Sequence, residues 1–154
     1  GDSPLLPASI HQLEKLGKHL ASVPFDAAYT SDLPRAVHTA QIIIDQLEKP
    51  IELQLTSALR EWKLGKLEGA KIATITSIYP QQMDAFRHNL ARFQNEIFDA
   101  ESVYETTKRT CDFVKSLNGK ELNSVLIVGH GANLTASIRT CLVMKQENSA
   151  KMAD

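Results

Sequence analysis

Apolar residues Ile10, Leu13, Leu16 and Leu20 recur at helical spacing behind Ser9 and Gln12, which read as a capping box, so the pattern predicts a helix over Ser9–Ser22 with one apolar stripe. Pro24 ends it. The run "FDAAYTS" predicts a short buried strand, and Pro34 suits the first turn of the next helix because its missing N–H costs nothing there. Val37, Ala40, Ile43, Ile44 and Leu47 give that helix a core face. "IELQLTSAL", Ile51 to Leu59, alternates as a strand does. "LREWKLGKLEG", Leu59 to Gly69, is a loop with two glycines. A helical region broken near Pro80 follows, and "QQMDAFRHNLARFQNEIF" predicts more helix. Ser102 with Glu105 makes a second capping box, opening a helix that ends at Asn118-Gly119. "SVLIVGH" is a continuous apolar run without alternation, the signature of a parallel strand buried on both faces. "GANLTASIRTCLVM" predicts a helix after it. Strands alternating with helices predict an α/β fold with a parallel sheet and helices packed on it.

Composition narrows the class. The chain has 154 residues, 43% of them hydrophobic, enough for one domain with its own core. A net charge of −1 gives no reason to expect nucleic acid or a membrane surface as partner. No apolar run is long enough to span a bilayer, and no signal peptide, repeat or low-complexity tract is visible. Cys111 and Cys141 lack metal or redox spacing, which predicts reduced thiols and a cytoplasmic setting.

In a parallel sheet, chemistry gathers at the carboxyl ends of the strands. Three polar residues are expected there: Arg35 after the first strand, Glu61 after the second and His130 at the end of the third. A guanidinium clamps phosphoryl oxygens in a fork, a carboxylic acid can protonate a leaving oxygen, and the helix start at Gly131 offers backbone N–H groups to an anion. Singly, each has a plain alternative. Arg35 could be a solvated helix-start residue and Glu61 a surface carboxylate beside Arg60. A histidine before glycine at a strand end is a costly choice for packing alone. His11, His19, His38 and His88 fall within helical patterns and read as structural or solvated. A serine hydrolase built on Ser31 and His130 is rejected, because no nucleophile elbow surrounds Ser31.

Four ordered stretches carry a resemblance. "DSPLLPASIHQLEKLGKHLASVPFDAAYTSDLPRAVHTAQII", "LREWKLGKLEGAKIATI", "DAESVYETTKRTCDFVKSL" and "VLIVGHGANLTASI" resemble successive parts of the histidine phosphatase superfamily, the phosphoglycerate-mutase-like proteins, from Asp2 to about Leu142. The resemblance implies a three-layer α/β/α fold and metal-independent, cofactor-free phosphoryl transfer through a phosphohistidine, on a small phosphorylated metabolite. It implies that Arg35 binds the phosphoryl group, that Glu61 protonates the leaving alcohol and then activates water, and that His130, with Gly131 behind it, contacts the phosphoryl group. The short region from Lys71 to Asp99, where substrate choice is expected to be set, favours a phosphatase over a mutase.

The sequence also departs from the family. No Arg-His-Gly motif, which would supply the nucleophile, occurs in it, and "VMKQENSAKMAD" looks like no strand. The chain thus reads as a single domain over 1–154, incomplete at both ends, keeping the third, second and fourth family strands as a contiguous half-sheet. Two expectations follow: a phosphatase whose nucleophile is missing from these residues, or a non-catalytic fragment that at most binds phosphate esters. The strand from Val125 to Val128 would be an open edge capable of self-association.

Overall fold

Prolines start three of the helices. The computed structural model describes residues 4–138. Within them α1 (Pro7–His19), α2 (Pro34–Ile44) and α4 (Pro80–His88) each carry proline in the first turn. Proline there has its φ already set and no N–H to leave unpaired. This settles the start of α1: Leu6 is its N-cap and no side chain caps it, so the Ser9 box goes unused. Pro7 commits the backbone to helix two residues before Ser9 could act. The Ser102 cap forms as expected, its Oγ accepting from Glu105 N at 3.0 Å at the start of α5 (Val103–Ser116), which runs into a 3-10 turn ending at Gly119.

Three strands, β1 (Ala27–Ser31), β2 (Leu53–Thr56) and β3 (Val125–Val128), form a parallel sheet in the order β2-β1-β3. This is the neighbour order expected of the half-sheet. β1 is buried along its whole length, as a central strand should be, whereas β2 and β3 are partly exposed. β2 is shorter than the alternation of Ile51–Leu59 predicts. Thr56 Oγ1 accepts from Ala58 N at 3.2 Å and turns the chain into a 3-10 turn over Ser57–Leu59. That turn buries Leu59 completely beneath the sheet, with Ala27, Tyr29 and Leu117.

Helices cover the sheet, giving the expected α/β class. α2 packs on the strands and α1 packs on α2. Gly17 permits that approach, because a Cβ there would lie 2.8 Å from Gln46 Cγ and 3.0 Å from Ile43 O. α5 lies on the side of Tyr29, whose ring meets Phe113 edge-on at 5.2 Å. α3 (Ile72–Ile78) ends just before Pro80, which starts α4, so the helical region is broken where expected. The helix predicted through Phe98 stops at His88, and two 3-10 turns over Leu90–Arg92 and Asn95–Phe98 follow. Their aromatic residues, Phe93 and Phe98, stack and close a separate core with Trp62, Ala85 and Ala100. A last helix, α6, is described over residues 131–138. The remainder of "GANLTASIRTCLVM" and all of "VMKQENSAKMAD" fall outside the described residues. Cys111, buried on α5, is disulfide-bonded, contrary to the expectation of reduced thiols; Cys141 lies outside the described residues. No described helix is long and apolar enough to cross a membrane.

Candidate active site

Because the three strands run parallel, the segments leaving them emerge on one rim. From β1 comes the stretch Asp32–Arg35, bent by Ser31, whose Oγ accepts from Leu33 N at 3.3 Å before Pro34 starts α2. From β2, past the 3-10 turn, come Arg60 and Glu61. From β3 come Gly129 and His130, and then α6.

The three expected residues converge. His130 is 5% exposed. Its Nδ1 lies 3.4 Å from Arg35 Nη2, and its Nε2 lies 2.9 Å from Ser31 Oγ. A guanidinium has only donors, so in the neutral ring Nδ1 accepts and the proton sits on Nε2, which donates to Ser31. Ser31 and His130 are therefore in contact, but the geometry opposes hydrolase chemistry. The ring nitrogen that an acid would orient in a serine triad faces a cation here, and Ser31 is fully buried.

Glu61 reaches across to α6. Its Oε1 accepts from Asn133 N and from Trp62 N, each at 2.8 Å, and its Oε2 accepts from Ala132 N at 3.4 Å. An anion at a helix start is favourable, but here that anion is the protein's own carboxylate. The backbone cradle expected behind Gly131 is thus engaged by Glu61 at two of its amides. Neighbouring charge is also paired: Arg60 grips Asp32 with two bonds of 2.7 Å. That grip holds the Asp32 carboxyl below its usual range. The histidines read as structural or solvated, His11, His19, His38 and His88, are all exposed.

An open cleft of about 500 Å³ lies against this rim, lined by Leu33, Arg35, Arg60, Glu61, Trp62 and Lys63 among others. A larger depression of about 840 Å³, around Asp84, Asn89 and Arg92, contains none of the three rim residues. Periodicity did not single out two residues that frame the site. Asn133 is fully buried; its side chain donates to Thr106 Oγ1 at 2.7 Å and accepts from Thr110 Oγ1 at 2.9 Å. Arg109 binds the backbone before Glu61. The available signal was weak, a row of Thr106, Thr110 and Arg109 on the face of α5 that an apolar stripe would otherwise occupy.

The sequence profile of the histidine phosphatase superfamily (branch 1) matches residues 1–153. The chain belongs to this superfamily. It is 34% identical over 139 residues to a 2,3-bisphosphoglycerate-dependent phosphoglycerate mutase of Cytophaga hutchinsonii, a match covering 88% of this chain and 64% of that protein. It is 29% identical to a putative phosphoserine phosphatase 2 of Hydrogenobacter thermophilus, over 92% of this chain and 67% of that one. Among solved structures, Bacillus stearothermophilus YhfR superposes with a TM-score of 0.80 at 30% identity, over 90% of this chain and 67% of that one. A mycobacterial glucosyl-3-phosphoglycerate phosphatase superposes with a TM-score of 0.79 at 22% identity, over 90% and 68%, which speaks to the fold alone. The chain thus spans about two thirds of the length of the relatives it matches.

Proposed function

We propose that this chain forms the phosphoryl-binding and acid–base side of a metal-independent phosphomonoester phosphatase that works through a phosphohistidine. One observation carries the reading: Arg35, His130 and Glu61, far apart in sequence, meet at one sheet rim, where Arg35 and Glu61 line a cleft and Arg35 contacts the buried His130 behind it. In the reaction a histidine nitrogen attacks phosphorus and the P–O ester bond breaks. Glu61 gives its proton to the departing alcohol oxygen. Water then attacks the phosphohistidine, Glu61 takes the water's proton, and phosphate leaves. Arg35, at the start of α2, binds non-bridging oxygens. His130 faces the phosphoryl group and stabilises its charge, and Gly131 opens the helix beside it. Of the two Glu61 oxygens, Oε2 makes the longer contact and is the natural carrier of the proton.

The nucleophile is not supplied by an Arg-His-Gly motif in these 154 residues. His130 is a poor substitute, because both of its ring nitrogens already face partners, Arg35 and Ser31. This supports the second reading, that the chain by itself is a non-catalytic phosphate-ester binder. The relatives bear both mutase and phosphatase names. The short Lys71–Asp99 segment, which packs Phe93 and Phe98 against Trp62, supports the phosphatase over the mutase. The substrate would be a small phosphorylated metabolite and the setting cytoplasmic. The Cys111 disulfide argues against that setting, and thiol trapping in fresh cell extract decides between them.

The test is turnover of p-nitrophenyl phosphate by this 154-residue chain and by a form extended with an N-terminal strand ending in Arg-His-Gly. The first should stay at background. The second should turn over and lose on the order of 10²–10⁴-fold on Glu61→Gln. Robust turnover by the unextended chain, abolished by His130→Ala, overturns the assignment of roles.

A further inference from the structure

The loop that carries Glu61 is held from outside itself. Arg109, on α5, points its guanidinium at the loop's backbone: Nη1 donates to Arg60 O at 2.9 Å and reaches Ala58 O at 3.4 Å and Ser57 O at 3.5 Å. Its Nη2 donates to both Glu101 oxygens at 3.1 Å and to Thr106 Oγ1 at 3.2 Å. Glu101 in turn accepts from Lys63 N at 3.1 Å, and its backbone carbonyl accepts from Trp62 Nε1 at 2.7 Å. The peptide before Glu61 is thus tied directly to Arg109, and the residues after it are tied to Arg109's own ion-pair partner. The pair is largely shielded, with side-chain exposures of 24% and 13%.

The same helix holds the other half of the contact. On the next residue of α5, the Thr110 hydroxyl lies 2.9 Å from both Ala58 O and Asn133 Oδ1, two acceptors that share its single hydrogen. Asn133 is the residue whose amide donates to Glu61. α5 therefore fixes both the carboxylate's loop and the helix start it caps.

We infer that Arg109 is the positioning residue for Glu61. It touches neither the cleft nor any reacting atom, and it acts by gathering backbone carbonyls that only a planar, forked, multiply donating group can reach together. Lysine, with one tetrahedral ammonium, cannot bridge the Arg60 carbonyl and the Glu101 carboxylate in this way. The inference rests on the proposed role of Glu61, but its test reads geometry rather than turnover, so the two can fail separately.

The test uses the whole chain labelled with ¹⁵N. In the wild type, the Asn133 amide proton should shift as Glu61 titrates, and Glu61→Gln should abolish that dependence. Arg109→Lys should also abolish it while the rest of the spectrum stays folded, and lysine should give no rescue. An Asn133 profile in Arg109→Lys that follows the wild type overturns the inference, whatever the activity. If Arg109→Lys does not fold, Glu101→Gln serves instead: it keeps the shape, removes the charge that orients the guanidinium, and should diminish the same dependence. An unchanged profile there overturns the inference equally.

Discussion

Arg35 Nη2 and His130 Nδ1 lie 3.4 Å apart, 95 residues distant in sequence, so the cation at the start of α2 selects the tautomer of the histidine at the end of β3. The neutral ring is expected to carry its proton on Nε2, toward Ser31. Long-range ¹H–¹⁵N spectra should show that form at high pH. A ring protonated on Nδ1 would mean that Arg35 points elsewhere in solution.

The same contact frames a binding prediction. Phosphate should perturb residues 30–36 and 129–134 in a titration followed by nuclear magnetic resonance. Arg35→Ala removes a charge-assisted partner worth roughly 1.5–3 kcal/mol, so affinity should fall by about tenfold to a hundredfold. Shifts confined to distant residues would remove the basis for the site.

Two aspartates make stability depend on acid. Asp26 Oδ2 accepts from Asn123 N at 2.7 Å and Ser124 N at 3.0 Å, tying the start of β1 to the approach to β3. The Ser124 amide, then that of Asn123, holds the carboxyl below its usual value of 3.8. Arg60 does the same for Asp32. Both carboxyls lose protons more readily folded than unfolded. Their contribution is therefore complete above pH 3.8 and is lost as pH falls from there through the folded values. Denaturant melts of wild type and Asp26→Asn should converge as pH drops through this window. A gap that widens toward acid would contradict the sign.

Part of this was legible in the sequence because local chemistry decided it. β1 and β3 are short apolar runs, Pro34 marks a helix start, and Ser102 has no rival as a cap. Arg35, Glu61 and His130 were readable as strand-end residues, since parallel strands must deliver their ends to one rim. Where two local signals competed, the stronger local one decided. Pro7 displaced Ser9, and a threonine-capped turn cut β2 short. The 3-10 turns after His88 follow from burying Phe93 and Phe98 against Trp62, a partner about thirty residues away that periodicity does not reveal. The roles of Arg109 and Asn133 depend on contacts spanning 49 and 72 residues. Nothing local marks a guanidinium as a backbone clamp.

Gly65 ties the Glu61 loop to the turn at Phe98. Its φ is +56°, and a Cβ there would sit 2.2 Å from Phe98 O and 2.4 Å from Asp99 O. These are backbone atoms that cannot swing aside. Gly65→Ala should cost both left-handed strain and overpacking, about 1–2 and 1–3 kcal/mol respectively. Gly69 has a similar φ of +73° with open space around it, so Gly69→Ala should cost the strain alone. Equal losses in denaturant melts would show that the Phe98 contact does not constrain the loop.

Among the described residues, β3 has a strand on one side only, where Ala27 to Thr30 pair with Val125 to Val128. Val125, Leu126 and Ile127 are partly exposed, in contrast to fully buried β1. The segment "VLIV" carries no lysine, proline or other device that protects an edge. Its outward N–H and C=O groups are a template for another strand, and its apolar side chains gain on the order of 25 cal/mol per Å² on burial. We expect this chain to self-associate through Val125–Val128, or to aggregate when concentrated, since the net stability of a domain, typically about 5–15 kcal/mol, tolerates little exposed apolar edge. Sedimentation velocity over a concentration series should show growing assemblies. The β3 amides that point away from β1 should become protected from exchange as assemblies form. A monomer at every concentration, with those same amides already protected, would mean that another segment of the protein pairs with β3 and that the edge is closed.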